Sequence, residues 1–194
     1  DKNEDQNSEK LGAKFYDYIK KNEIENISIL GSNFPSIKNK INLNEFLHGA
    51  ELKAYEFNLY KTKKNKKETN INVLKSKNNI NQKIKSKFDA VLEGVNFTKD
   101  LVSEPGNILH PDEYAKRLIK LKKIGIKVTV YDNKKLKKLG CNALLGVGQG
   151  SVKGSYLVTM EWNGIKSKSK PLAFVGKGVC FDTGGYSLKP ARFM

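Results

Sequence analysis

Between Val175 and Lys189 the chain reads VGKGVCFDTGGYSLK, in which two lysines and one aspartate stand among four glycines. Lys177 and Asp182 are five positions apart, and Asp182 and Lys189 seven. An aspartate offers hard oxygen to a divalent cation and can bridge two metals with its two oxygens. A lysine coordinates metal only as the neutral amine, a form that burial and nearby positive charge favour. A second lysine that keeps its proton can stabilise a developing oxyanion on a polarised carbonyl. Gly184 and Gly185 let backbone approach the site and take positive φ. The same spacing also suits two surface lysines and an aspartate that caps a turn. Spacing alone leaves both readings open.

The other glycine-rich stretch, GVGQGSVKGS at 146–155, matches neither phosphate pattern. A Walker loop from Gly146 would need glycine at Ser151, and one from Gly148 would need it at Lys153. The dinucleotide pattern fails as well, because Gly146-Val147-Gly148 is followed by Ser151. No helical pattern follows to supply an N-terminal dipole. We expect a structural loop.

Cys141 and Cys180 are too few and too far apart for a disulfide framework or a CxxC zinc site, and they are expected as inert thiols in apolar surroundings. That usage fits a reducing, cytoplasmic setting.

These residues need elements to position them. Residues 9–21 are expected as an amphipathic helix with Leu11, Phe15, Tyr18 and Ile19 inward. A short buried strand follows at 27–30. Leu43, Phe46, Leu47, Ala50, Ala54 and Phe57 then fall on one helix face, with His48 off that stripe and on the solvent side or rim. INVL at 71–74 is a short strand within a lysine-rich stretch. Apolar residues at 84, 88, 91, 92, 95 and 102 mark a long helix, ended by Pro105 and Gly106. His110-Pro111-Asp112-Glu113 opens another helix, with proline early and the acids where the dipole favours them; Tyr114, Leu118 and Leu121 line its buried face. His110 is expected as a near-cap residue without a catalytic task.

After Gly125 strands and helices alternate: a strand at 126–131, a short helix closed by Gly140, a strand through 142–147 running into the glycine loop, and strands at 155–162 and 172–178. The pattern predicts an α/β fold whose sheet is buried on both faces, with Lys177 at the C-terminal end of a buried strand, the usual place for ligands in such sheets. The long helix at 84–102 is the natural boundary between two units.

The formal net charge is +16, yet arginine occurs only at Arg117 and Arg192. Residues 61–87 hold ten lysines against the single acid Glu68. A solvated loop explains them, and so does a nucleic-acid or membrane-surface patch, although the interleaved aromatics of a base-stacking surface are missing. No run of about 18 apolar residues is present, so no membrane span is expected. The polar start excludes a signal peptide at this end. The lack of an initiating Met and the abrupt finish at ARFM suggest a fragment.

VGKGVCFDTGGYSLK resembles the signature that opens the metal site of the leucyl (cytosol) aminopeptidases, which is close to VGKGxTFDxGGxSxK. KDLVSEPGNILHPDEYA is similar to that family's first catalytic-domain segment, LGCNALLGVGQGS to its following stretch, and AELKAYEFNLYKTKK to the end of its N-terminal domain. The resemblance covers most of residues 43–194. It implies an internal fragment of a bacterial-type member: 1–83 part of a small α/β N-terminal domain, 84–103 a linker helix, and 104–194 the first strands of a mostly buried α/β catalytic sheet. It further implies that Lys177 and Asp182 are metal ligands, with Asp182 touching both of two divalent ions (manganese or zinc). Lys189 is implied to be the catalytic lysine that polarises the substrate carbonyl. The implied reaction is attack of a metal-activated hydroxide on the first peptide bond of a peptide whose free amine binds one metal. A homo-hexamer in the cytoplasm is implied as well.

Cys180 stands where the family usually has threonine, and Ser103 where asparagine is common. The family's MKxDMGG-like and NTDAEGR-like segments, which bring the remaining acidic ligands and the arginine that holds a bicarbonate base, are absent from 1–194. The chain by itself is therefore expected to be inactive. Two other readings stay open: a nucleic-acid-binding protein using 61–87, since some members of the family also bind DNA, and a structural remnant of a split gene.

Overall fold

A computed structural model of the protein describes residues 7–30, 42–63, 70–74, 81–165 and 170–194. The chain divides into two compact units, 1–103 and 104–194. Residues 64–69 and 75–80 of the lysine-rich stretch 61–87 lie outside the described residues.

The first unit is a β-α-β unit flanked by helices. Helix α1 (Ser8–Lys21) starts where the Asn7 side chain accepts the Glu9 N–H at 3.0 Å, and it carries Glu9 in its first turn and Lys20 and Lys21 in its last. A polar cap and charges matched to the helix dipole mark both ends. Strand β1 (Asn26–Leu30) pairs in parallel with β2 (Asn70–Leu74), Ile27 opposite Ile71, and α2 (Leu43–Ala54) lies between them in the chain. Ile29, Leu43 and Phe46 form the core, with Leu11, Phe15, Ile27, Leu47 and Ile71 packed against it. Helices α1 and α2 touch backbone to backbone. A Cβ on Gly12 would lie 1.8 Å from the Phe46 carbonyl oxygen, and one on Gly49 would lie 1.9 Å from that of Glu9. Tyr18, expected inward, is exposed, because the buried line of α1 runs through Ser8, Gly12 and Ile19.

Helix α3 (Gln82–Ser103) packs on the other side of α2. This second neighbour corrects the expectation for His48, which is only 3% exposed and stacks on Phe88 with ring centroids 4.6 Å apart. A one-stripe reading of α2 cannot foresee a helix packed from two sides. Lys99 donates to the Leu52 carbonyl at 2.7 Å, and the Tyr55 hydroxyl meets Asp100 at 2.8 Å.

In the second unit, α4 (Pro111–Ile119) begins at the extended N-cap His110, with proline at its first position, and buries Ala115 and Leu118. Arg117 binds the buried Glu104 carboxylate at 2.6 Å and reaches Glu113 at 3.2 Å. A 3₁₀ turn at 120–124 ends on Gly125, whose φ of 89° suits glycine. Strand β3 (Lys127–Tyr131) pairs antiparallel with β4 (Leu157–Glu161), Thr129 opposite Thr159. Between them lie α5 (Asn133–Lys138), capped by Asp132 and burying Leu136, and α6 (Asn142–Val147). The expected strand through 142–147 is thus a helix. A short apolar run carries no periodicity that separates the two, and alanine and leucine favour the helix.

The fold is α/β, as the alternation predicts. The expected burial on both faces is not found in the second unit: Met160 on β4 is half exposed. Residues 172–178, expected as a buried strand, form no ladder, and Val175 is fully exposed. A strand is defined by its neighbours, and no described segment pairs with this one. No helix among the described residues is long and apolar enough to cross a membrane.

Candidate functional site

Lys177, Asp182 and Lys189 lie on one turn-rich segment of the second unit. Local backbone chemistry makes the turn. Gly184 and Gly185 take φ of 94° and 70°, in the left-handed region that a Cβ disfavours. A Cβ on Gly184 would also sit 2.3 Å from the Ser187 carbonyl oxygen. The Lys189 N–H donates to the Thr183 carbonyl at 2.8 Å and closes the loop.

The closed loop brings two of the three residues together. Asp182 Oδ1 accepts the Gly184 N–H at 2.8 Å, and Oδ2 accepts from Lys189 Nζ at 2.9 Å. The Lys189 ammonium, first, and then the Gly184 N–H hold the Asp182 carboxyl below the usual carboxylate range, and the charge of Lys177 adds to them. Lys177 is exposed, so the burial expected to favour its neutral amine is not supplied by the described residues. Cys180, between the two candidate ligands, is a free thiol; partial burial, helped by the charge of Asp112, pushes it up from its ordinary value. That matches an inert cysteine. His110 caps α4 without a side-chain cap bond and turns its Nδ1 to the Asp112 carboxylate.

The donor chemistry fits part of a divalent-cation site. Each Asp182 oxygen accepts one hydrogen bond and keeps a further lone pair for a cation, and an amine nitrogen stands five positions earlier. Zinc, manganese or magnesium takes about four to six ligands, so two protein donors do not close a site. Among the described residues no group of three or more His, Cys, Asp and Glu side chains converges.

The glycine loop after α6 folds back on α5, with the Ser155 N–H donating to Asn133 Oδ1 at 2.8 Å. A Cβ on Gly148 would meet the Ser155 hydroxyl at 2.1 Å. The loop's own turns add backbone bonds, with the Gln149 N–H donating to the Gly146 carbonyl at 3.3 Å and the Ser151 N–H to that of Gly148 at 3.1 Å.

Comparison with known proteins gives a consistent picture. The profile of the cytosol aminopeptidase family, catalytic domain, matches residues 96–194. A probable cytosol aminopeptidase of Phytoplasma mali (strain AT) is 52% identical over 156 residues, which are 77% of this chain and 31% of that protein. One from Brucella melitensis biotype 1 is 49% identical over 152 residues, 75% of this chain and 31% of the relative. The chain thus spans about a third of the length of the curated relatives it matches. Among solved structures, the bottromycin maturation enzyme BotP in complex with Mn aligns at a TM-score of 0.74 and 22% identity, over 95% of this chain and 39% of BotP. A tomato leucine aminopeptidase mutant aligns at 0.63 and 21%, over 79% of this chain and 32% of its own. At these identities the structures speak to the fold. The family profile covers more than half of the chain and the sequence relatives agree with it, so the chain belongs to the cytosol aminopeptidase family.

Proposed function

We propose that the protein carrying this chain is a two-metal aminopeptidase that removes N-terminal, leucine-like residues from peptides. The observation that carries the reading is the glycine-bounded loop that joins Asp182 to Lys189, inside the stretch matched by the family profile. Lys177 and Asp182 would hold the divalent ions, manganese or zinc. When bound, such ions supply Lewis acidity toward a carbonyl and lower the pKa of water.

The chain's own residues do the rest. Lys189 has three N–H donors and spends one on Asp182. The others are available to a substrate carbonyl oxygen as negative charge develops on it, and the bond to Asp182 orients the ammonium beforehand. The tight turn at Gly184 and Gly185 fixes the carboxylate in that relation. Residues outside 1–194 complete the ligand set and contribute a bicarbonate base, and the working assembly is a cytoplasmic hexamer; the family resemblance supports these finer points.

The test is hydrolysis of a leucine amide by the full-length protein, with and without added manganese or zinc, beside Lys177→Ala and Asp182→Ala. Metal-dependent hydrolysis that both variants lose is the expected result. A well-folded, metal-loaded protein without hydrolysis would contradict the proposal.

A further inference from the structure

Residues 177–182 make no strand ladder, yet they carry both candidate ligands, so something else must fix the span between Lys177 and Asp182. Two contacts inside the second unit do so, and both reach back to residues 106–114. A Cβ placed on Gly178 would lie 2.9 Å from Tyr114 Cε1 and 3.5 Å from its Cδ1, so the ring rests directly on that backbone. A Cβ on Gly106 would lie 3.0 Å from Phe181 Cβ and 3.3 Å from its Cγ, so the Pro105–Gly106 turn seats Phe181. The two contacts fall at 178 and 181, each between the two ligand positions and immediately beside one of them. The far side of Tyr114 is fixed as well, because its own helix is anchored by the burial of Ala115 and Leu118 and by the Arg117–Glu104 ion pair at 2.6 Å.

We infer that Tyr114 and Gly106 are positioning residues for the metal site: the ring of Tyr114 against Gly178 sets Lys177, and the close seat of Phe181 on Gly106 sets Asp182. The inference rests on the proposed ligand roles. It requires the aromatic ring of Tyr114 and leaves its hydroxyl without a part. Groups that orient ligands without touching the metal typically cost about 10- to 100-fold in metal affinity when removed.

The experiment measures manganese affinity of the full-length protein by calorimetry, without substrate, and follows folding by thermal melting. Tyr114→Ala should weaken manganese binding by about tenfold or more, and Tyr114→Phe should restore it. Gly178→Ala, which pushes the same ring from the other side, and Gly106→Ala should weaken binding in a protein that still melts cooperatively. Asp182→Ala separates the ligand role from the positioning role. If it binds manganese as the wild type does, the ligand assignment fails and this inference fails with it. If Asp182→Ala loses binding while Tyr114→Ala, Gly178→Ala and Gly106→Ala keep wild-type affinity, the positioning role alone is overturned.

Discussion

Lys189 Nζ lies 2.9 Å from Asp182 Oδ2, so the residue proposed to meet the substrate and a residue proposed to hold metal share one hydrogen bond across a loop closed by two left-handed glycines. A donor held in place before substrate arrives stabilises charge in the transition state without reorganising. Lys189→Ala in the full-length protein should therefore lower the kcat of the proposed hydrolysis by roughly a hundredfold or more, while KM changes little and metal content stays at the wild-type level. Steady-state kinetics with metal analysis of the same samples checks this. A variant that loses metal along with activity would assign Lys189 to the ligand set instead.

The first unit has its own pH dependence. The Lys20 ammonium pulls the Glu56 carboxyl below its ordinary value, helped by the Asn58 amide, and Glu56 in turn raises Lys20. A depressed carboxyl contributes stability that is present above the ordinary glutamate range and is lost as pH falls through the folded value. A raised lysine contributes stability that is present below its ordinary value and is lost as pH rises through the folded one. Both groups are well exposed, so the effect is small. Urea melts between pH 3 and 6, run beside Glu56→Gln, should show a shallower acid loss in the variant.

The crossing of α1 and α2 depends on two glycines with no room for a methyl. At Gly12 and Gly49 the atom in the way is backbone, which cannot swing aside as a side chain can. Gly49→Ala should cost about 3 kcal/mol, at the upper end for overpacking, and Gly12→Ala a similar amount. The two changes lie in one contact, so their sum should not be additive. Denaturant melts of the single and double variants measure all three.

The Glu104 carboxylate is 2% exposed, and Arg117 is its partner at 2.6 Å. Removing one side of a buried pair strands the other, so Arg117→Ala should destabilise the second unit by about 3 kcal/mol, whereas Lys116→Ala on the exposed side should stay within about 0.5 kcal/mol. Hydrogen exchange of α4 amides reads the difference directly.

Much of this architecture is legible in the sequence because the signals are local. Asn7, Asp132 and Pro111 mark helix starts, Gly125 and Gly140 mark stops, and the β-branched runs become β1 to β4. What is not legible depends on partners distant in sequence. His48 is buried because α3 covers a second face of α2, and nothing in the spacing of α2 announces that neighbour. Residues 172–178 carry strand composition, but composition supplies no ladder. At the site, the types and spacing of Lys177, Asp182 and Lys189 raise the metal reading, and the glycine pair hints at the turn. Tyr114 and Gly106 stand about seventy residues away from the segment they touch, and only the folded chain brings them to it.

Metal stoichiometry tests whether Asp182 serves as a ligand to both of the two proposed ions. Full-length wild-type protein and Asp182→Ala, each saturated with manganese and freed of excess, are analysed for bound metal per chain. Two ions are expected in the wild type, with loss from both sites in the variant. Two ions retained in a folded Asp182→Ala protein would contradict that role.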